Sequence, residues 1–159
     1  MYKRQELEDN DGYSDRGEKC VHTQIVIDGH HYSVIAAYCF LGFLCWEIFQ
    51  GSYGAREFSY FLRNKVRPLL ISGCIGLLDN SSTHQRIDAL GSLDEVFQGL
   101  YEYVPGYSPH LKPIEKGFGN VKGRIRGNPF AAQDPIGAIN EAFNYYATDG
   151  PGSAAGKIT

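Results

Sequence analysis

The segment from Val34 to Phe49 is the most apolar stretch of the sequence, and it limits what the chain can fold into. It is too short to span a bilayer, it is interrupted by Gly42, and it carries Glu47. β-Branched and aromatic residues lie on both sides of the glycine, which is typical of two buried strands joined by a tight turn. The sequence therefore predicts strands at about residues 32–40 and 43–50, with a positive φ angle at Gly42.

The rest of the chain alternates helical patterns with short strands. After Gly54, apolar residues recur at helical spacing until Pro68 forbids continuation, which predicts an amphipathic crossover helix. A buried strand flanked by helices indicates an α/β domain with a mixed or parallel sheet. The other predicted strands are Ile75–Asp79 and Leu100–Val104. Further helices are predicted over Thr83–Leu90 and from Pro113 onward. A last helix is predicted after Asp134, which caps it, with Pro135 in the first helical position.

Two acidic residues follow these elements in a way that suggests a metal site. Asp79 closes the apolar run of a predicted strand, and Glu115 lies in the first turn of the helix opened by Pro113. Residues 80 to 114 separate them. Mg²⁺ prefers a few carboxylates completed by water and phosphate oxygens, so acids from separate elements that meet at a sheet edge suit it. Plainer roles are turn chemistry for Asp79 and a helix-dipole contribution of about 0.3–1 kcal/mol for Glu115.

The residues around both acids resemble the mariner-like transposases of the DDE superfamily of endonucleases. Asp79-Asn80 with His84 is similar to the second acidic motif of that family, and Tyr107-Ser108-Pro109 through Pro113-Ile114-Glu115 is similar to the third. Gly29–Ser33 and Phe49–Tyr53 are similar to its central hairpin. The resemblance runs from about Gly12 to Tyr146, and it implies a ribonuclease-H-like mixed sheet flanked by helices.

The resemblance also implies the chemistry and the partners. It implies metal-dependent cleavage and transfer of DNA strands with Mg²⁺ or Mn²⁺, in which Asp79 and Glu115 are catalytic and metal-binding residues and Asn80 and His84 support them. A histidine on a surface helix is the plainer interpretation of His84. Five basic residues are candidates for contacts with DNA phosphates, although a basic helix face is often only solvated. They are Lys112, Lys116, Lys122, Arg124 and Arg126.

The sequence departs from the family pattern in several places. The first aspartate of the family precedes a segment that resembles Gly12–Gly17, and only eleven residues stand before that segment here. We therefore expect the first strand and the first metal ligand to be missing. Asp28 is the best local replacement, but it falls too late in the pattern. Lys112 stands where the family usually has a capping asparagine. Three glycines inside the predicted helix, each costing about 0.5–1 kcal/mol, also suggest impaired activity. They are Gly117, Gly119 and Gly123.

Composition is ordinary for a globular protein, and the charge is unevenly distributed. The chain of 159 residues has a net charge of −3, whereas Leu111–Arg126 holds five basic residues against Glu115 alone. The four cysteines lack zinc-site spacing and no secretory signal precedes them, which predicts reduced thiols in an intracellular protein. We expect it in the nucleus in a eukaryote and otherwise in the cytoplasm. The apolar stretch Val34–Phe49 is too short for a membrane segment.

The sequence also predicts how the chain is divided. We expect a flexible acidic arm over residues 1–19, a partial DDE-type domain over 20–148 and a disordered tail over 149–159. DNA is the expected partner, and assembly with further copies of the chain is left open. The alternative to an enzyme is a non-catalytic interaction module, which pairs with another chain through a sheet edge that the missing strand leaves exposed.

Overall fold

The computed structural model describes residues 24–79, 84–104 and 113–151. These residues form two compact units. The first unit holds residues 24–52 and 113–151, and the second holds residues 53–79 and 84–104. Each unit has its own strands and its own helices.

An antiparallel sheet in the order β1-β2-β3 belongs to the first unit. Its strands are β1 (Gln24–Ile27), β2 (His30–Cys39) and β3 (Gly42–Gln50), so both strands predicted in the apolar segment are confirmed. Gly42 has a φ angle of 149°, as the turn requires. Asp28 and Gly29 join β1 to β2 with φ angles of 50° and 78°, which is the geometry of a two-residue type I′ turn.

Helices α3 (Pro113–Arg126) and α4 (Pro135–Tyr145) complete the first unit. The predicted cap of α4 is confirmed, because Asp134 Oδ1 accepts a hydrogen bond from the Gly137 N–H at 2.9 Å. Apolar residues from the sheet and both helices form one core around Phe43, whose ring lies 4.7 Å edge-on from that of Phe143. The fully buried members of this core are Ile25, Ile27, Phe43, Val121, Ile125, Ala131, Ile139, Ala142 and Phe143.

One of the three glycines of α3 has a packing role that the sequence did not predict. A Cβ atom at Gly117 would lie 2.9 Å from Tyr38 Cε2 and 3.0 Å from Phe43 Cζ, so only glycine lets the helix lie this close to β2 and β3. Its interpretation as a destabilising change in the helix is therefore wrong. Gly119 and Gly123 differ, because a Cβ atom there would have no neighbour within 4 Å.

The chain after α4 returns to the sheet of the first unit. Phe43 N–H donates to Tyr146 C=O at 3.0 Å, and Thr148 N–H donates to Phe43 C=O at 3.0 Å. These two hydrogen bonds make a parallel bridge between Phe43 and Ala147. Residues 146–148 therefore lie along β3 and satisfy the backbone groups of Phe43.

The second unit begins with the predicted crossover helix. Helix α1 (Ala55–Phe61) continues as a π-helical turn over Leu62–Val66 and a 3₁₀ turn over Arg67–Leu69. The predicted apolar stripe is buried, namely Phe58, Phe61, Leu62 and Val66. At its start, Glu57 Oε2 accepts a hydrogen bond from the Gly54 N–H at 2.9 Å. The wider π turn and the tighter 3₁₀ turn bring the helix to its end around Pro68.

Two short parallel strands and a second helix complete this unit. Strand β4 (Gly76–Leu78) pairs in parallel with β5 (Tyr101–Tyr103), at the places where short strands were predicted. Helix α2 (Ile87–Phe97) begins later and ends later than the predicted Thr83–Leu90. The reason lies at His84, which forms a turn with the two residues after it and contacts the chain at the end of β4.

None of the helices in the part of the chain that the structure describes has both the length and the apolar character needed to cross a bilayer.

Candidate functional site

Asp79 follows β4 directly and belongs to the second unit. Its side chain is only 15% exposed. The carbonyl oxygen of the residue lies 3.2 Å from His84 Nδ1, and the carboxylate oxygen Oδ1 lies 2.7 Å from the same nitrogen. One histidine nitrogen thus contacts both the backbone and the side chain of Asp79.

His84 is a buried residue in a turn, with 9% of its surface exposed. The plainer interpretation, a histidine on a surface helix, is therefore wrong. Its ring stacks on the ring of Phe58 from α1, with centroids 4.2 Å apart and an angle of 26° between the planes. The position of the ring is thus set by a helix that lies far from it in the sequence.

The carboxylate of Asp79 has an unusual hydrogen-bonding state. The Nδ1 atom has one N–H at most, so the carbonyl oxygen at 3.2 Å and the carboxylate oxygen at 2.7 Å share a single donor. Oδ1 is buried, and its neighbour His84 Nδ1 is a donor that it shares with the backbone carbonyl. A buried carboxylate that shares one donor with a carbonyl is incompletely satisfied, and a bound cation offsets the free-energy cost. The environment of Asp79 therefore fits the oxygen ligand of a divalent cation.

Tyr103 of β5 also holds this turn. Its hydroxyl donates a hydrogen bond to the His84 carbonyl at 3.0 Å. Burial raises the pKa of that hydroxyl, and the Asp94 carboxylate adds to the effect, so the donor stays protonated at neutral pH. Sequence reasoning missed both Phe58 and Tyr103. Their spacing predicts core positions of a helix and a strand, and nothing in that spacing links them to an acid elsewhere in the chain.

Glu115 lies in the first turn of α3 in the first unit, as predicted, and is half-buried. The residue takes part in an interaction with another group. Asp79 belongs to the other unit, and the pairing of these two acids at a metal site stays a prediction. Asn80 and Lys112 lie outside the described residues.

The basic residues of α3 differ in their surroundings. Lys116 and Arg126 are exposed, and Lys122 is half-buried and engaged in an interaction. The guanidinium of Arg124 lies 3.8 Å from the centroid of the Tyr145 ring, and its Nη2 atom lies 3.2 Å from Glu141 Oε1. Arg124 therefore joins α3 to α4, whereas Lys116 and Arg126 point to solvent.

Asp28, the suggested replacement ligand, is exposed in the type I′ turn between β1 and β2. Aspartate suits this place because it tolerates a positive φ angle. Its presence is therefore explained by turn chemistry. Among the residues that the structure describes, no three histidine, cysteine or acidic residues lie close enough together to hold a metal ion.

Comparison with known proteins agrees with the motifs. The profile of the family described as DDE superfamily endonuclease matches residues 2–136. Among solved structures, the chain is similar to the Mos1 transposase catalytic domain determined with raltegravir and Mg²⁺. The TM-score is 0.58 at 15% identity, and the match covers 79% of this chain and 69% of that one. No curated protein matches. The structural likeness confirms the predicted α/β, ribonuclease-H-like fold class.

Proposed function

Because the chain belongs to the DDE superfamily of endonucleases, we propose that it acts on DNA by metal-dependent strand cleavage and transfer, the activity of the transposases that it resembles. In this proposal Asp79 and Glu115 supply carboxylates to Mg²⁺ or Mn²⁺. The observation that carries it is the buried Oδ1 atom of Asp79, whose neighbour at 2.7 Å, His84 Nδ1, is shared with the Asp79 carbonyl. Such an oxygen suits a cation ligand better than a structural turn.

The residues around Asp79 have distinct parts in this proposal. Bound divalent cations would activate the nucleophile and stabilise the leaving oxygen of a phosphodiester. Asp79 provides a carboxylate whose rotamer is restrained by its neighbour His84, 2.7 Å away. Glu115 provides the second carboxylate from the start of α3, and Asn80 lies beside Asp79 in the sequence. A restrained ligand loses less conformational entropy when a cation binds.

We propose further that cleavage by this chain is weak. Two divalent cations at one site repel each other, and a third carboxylate would offset much of that repulsion. Asp28 is a poor source of this group because it is an exposed turn residue. With only Asp79 and Glu115 assigned, binding of one cation is expected to be stronger than binding of a pair.

The basic residues near the third motif are proposed to contact DNA phosphates. They are Lys112, Lys116, Lys122, Arg124 and Arg126. Lys116 and Arg126 carry most of this contribution in the proposal, because both are exposed on α3. Arg124 contributes less, since its guanidinium already stacks on Tyr145. Binding through phosphates depends strongly on salt and little on sequence.

Nicking of supercoiled plasmid DNA in Mn²⁺ or Mg²⁺ tests this function. We expect slow, metal-dependent nicking by the wild-type chain and none by Asp79→Ala or Glu115→Ala. Asp88→Ala is the matched control, because Asp88 is an exposed acid of α2 in the same unit as Asp79. Nicking that survives both substitutions would overturn the assignment. Rapid nicking that both substitutions abolish would uphold the site and contradict the proposed weakness.

A non-catalytic interaction module is the second candidate, and β4 favours it. Among the described residues, β4 pairs with β5 alone, and Leu77 in its middle is 64% exposed. Parallel strands are usually buried on both faces and paired on both edges, so this strand suits pairing with a second copy of the chain. Sedimentation at increasing concentration tests it. We expect association that Leu77→Lys weakens, and monomers at all concentrations would exclude it.

A further inference from the structure

We propose that Phe58 and Tyr103 are positioning residues for Asp79, which they restrain through His84. This inference rests on the proposed metal-binding role of Asp79. It adds two residues from α1 and β5 that have no acidic or metal-binding chemistry of their own. Phe58 lies 21 residues before Asp79, and Tyr103 lies four residues before Tyr107 of the third motif, so it is the fold that brings both of them to the turn after β4.

The two residues restrain His84 in complementary ways. Phe58 lies against the flat face of the imidazole at a centroid distance of 4.2 Å, which fixes the plane of the ring. The Tyr103 hydroxyl holds the backbone of the same residue through its carbonyl at 3.0 Å. Because the backbone of His84 and the plane of its ring are both held, the imidazole has little freedom to move.

The imidazole held in this way has its Nδ1 atom next to Asp79. Nδ1 lies 3.2 Å from the carbonyl oxygen and 2.7 Å from Oδ1 of this residue. A movement of the imidazole would therefore displace the backbone contact and the carboxylate contact together. Residues that orient a metal ligand, as His84 orients Asp79 here, typically contribute about 10- to 100-fold to metal affinity. Phe58 and Tyr103 act on His84, so each is expected to contribute part of this effect.

Phe58 is buried and Tyr103 is half-buried, so a purely structural role must be separable from positioning. The chain offers a matched control for each. Tyr101 lies two residues before Tyr103 on β5 and donates its hydroxyl to Asp94 Oδ1, also at 3.0 Å. Phe61 is buried in α1 like Phe58, but its ring is not among those stacked on His84.

Mn²⁺ titration of the whole chain, followed by the relaxation rate of water protons, measures the effect on the site. We expect Tyr103→Phe to weaken Mn²⁺ binding by about three- to tenfold, the equivalent of one hydrogen bond, and Tyr101→Phe to leave it unchanged. Phe58→Leu should weaken binding more than Phe61→Leu, although both should lower stability similarly in urea unfolding. Equal effects within each pair would overturn the proposal.

A second measurement needs no metal and separates this inference from the proposed function. The ¹⁵N signals of the His84 ring in the metal-free chain report its tautomer and surroundings. We expect them to shift in Tyr103→Phe and Phe58→Leu and not in the two controls, and unshifted signals would sink the inference. If instead Asp79→Ala leaves Mn²⁺ affinity unchanged, the proposed metal role fails, while the histidine signals still decide whether the ring is held on Asp79.

Discussion

The guanidinium carbon of Arg124 lies 3.8 Å from the centroid of the Tyr145 ring. Arg124, a candidate for contact with DNA, therefore joins α3 to α4. Its Nη2 atom also lies 3.2 Å from Glu141 of α4. Arg126, two residues later, is exposed. Two arginines of one basic segment therefore have separable roles, although their charges are the same.

Replacement of these arginines should separate stability from DNA binding. Arg124→Ala should lower the free energy of unfolding by about 1 kcal/mol, because it removes the cation–π contact with Tyr145 and the packing of a half-buried side chain. Arg126→Ala should change stability by less than about 0.5 kcal/mol. It should instead reduce the slope of log affinity against log salt by about 0.9 for the lost phosphate contact. Urea unfolding and salt-dependent binding of duplex DNA measure the two effects, and a reversed order would contradict both assignments.

Replacement by alanine should lower the stability of the protein at Gly117 and raise it at Gly119. Gly117→Ala forces a methyl group against Tyr38 and Phe43, and such overpacking costs about 1–3 kcal/mol. Gly119→Ala meets no neighbour within 4 Å, so it should raise stability by about 0.5–1 kcal/mol through better helix propensity. Urea unfolding compares the two variants, and a stabilised Gly117→Ala protein would show that the helix does not lie so close to the sheet.

Asp79→Asn should uncouple metal response from stability. The substitution removes a charge whose buried oxygen shares a single donor with a carbonyl, so the metal-free protein should be at least as stable as the wild type. Addition of Mn²⁺ should then raise the melting temperature of the wild type and leave that of the variant unchanged. A clear loss of stability in the metal-free variant would indicate that the carboxylate is satisfied in another way.

Asp28→Ala should test the turn role of this residue. Alanine adopts a positive φ angle at a cost of about 1–2 kcal/mol, whereas aspartate tolerates it better. We expect a loss of stability of up to about that size, with Mn²⁺ affinity unchanged. Asp28→Gly provides the control, because glycine adopts this conformation without strain. A drop in Mn²⁺ affinity for both variants would restore Asp28 as a metal ligand.

The ion pairs of Glu95 should make stability depend on pH. Its carboxylate lies 2.7 Å from Arg63 Nε and 2.7 Å from Arg67 Nη1. The hydrogen bond from Arg63, with the charges of both arginines, lowers the pKa of the Glu95 carboxyl against an opposing desolvation effect. Because the folded pKa is lowered, the contribution is present above the unfolded value of about 4.3 and is lost as pH falls through the folded pKa.

Comparison of the wild type with Glu95→Gln checks the sign of this effect. The wild type should melt at a higher temperature at pH 7, and the difference should shrink as the pH falls below about 4. The pair is exposed, so 1 M salt should also reduce the difference. A difference that grows on acidification would contradict the lowered pKa.

Local patterns predicted most of the fold. The β-branched run around Gly42 predicted β2 and β3, and the Asp134-Pro135 pair predicted the start of α4, because turns and caps depend on residues that are adjacent in the sequence. The start of α2 was missed because the turn at His84 is held by Phe58 and Tyr103. These contacts depend on tertiary structure, and no local pattern encodes them.

In the candidate site, too, the local positions of residues could be predicted and their tertiary contacts could not. Asp79 at the end of a strand and Glu115 in a first helical turn are local features, and both lie where the sequence placed them. The buried state of His84 was not predictable, since burial depends on which ring packs above it. The opposite surroundings of Gly117 and Gly119 were also hidden, because a helix pattern does not show how closely its sheet approaches.

The bridge between Phe43 and Ala147 has a practical consequence for recombinant fragments of this protein. A fragment that stops at residue 145 keeps every helix of the first unit but removes the segment that runs along β3. The backbone groups of Phe43 would then face water on an apolar strand, and such edges recruit other chains into aggregates. Fragments should therefore extend beyond residue 151, so that they keep the buried Gly150, although the last helix, α4, ends at Tyr145.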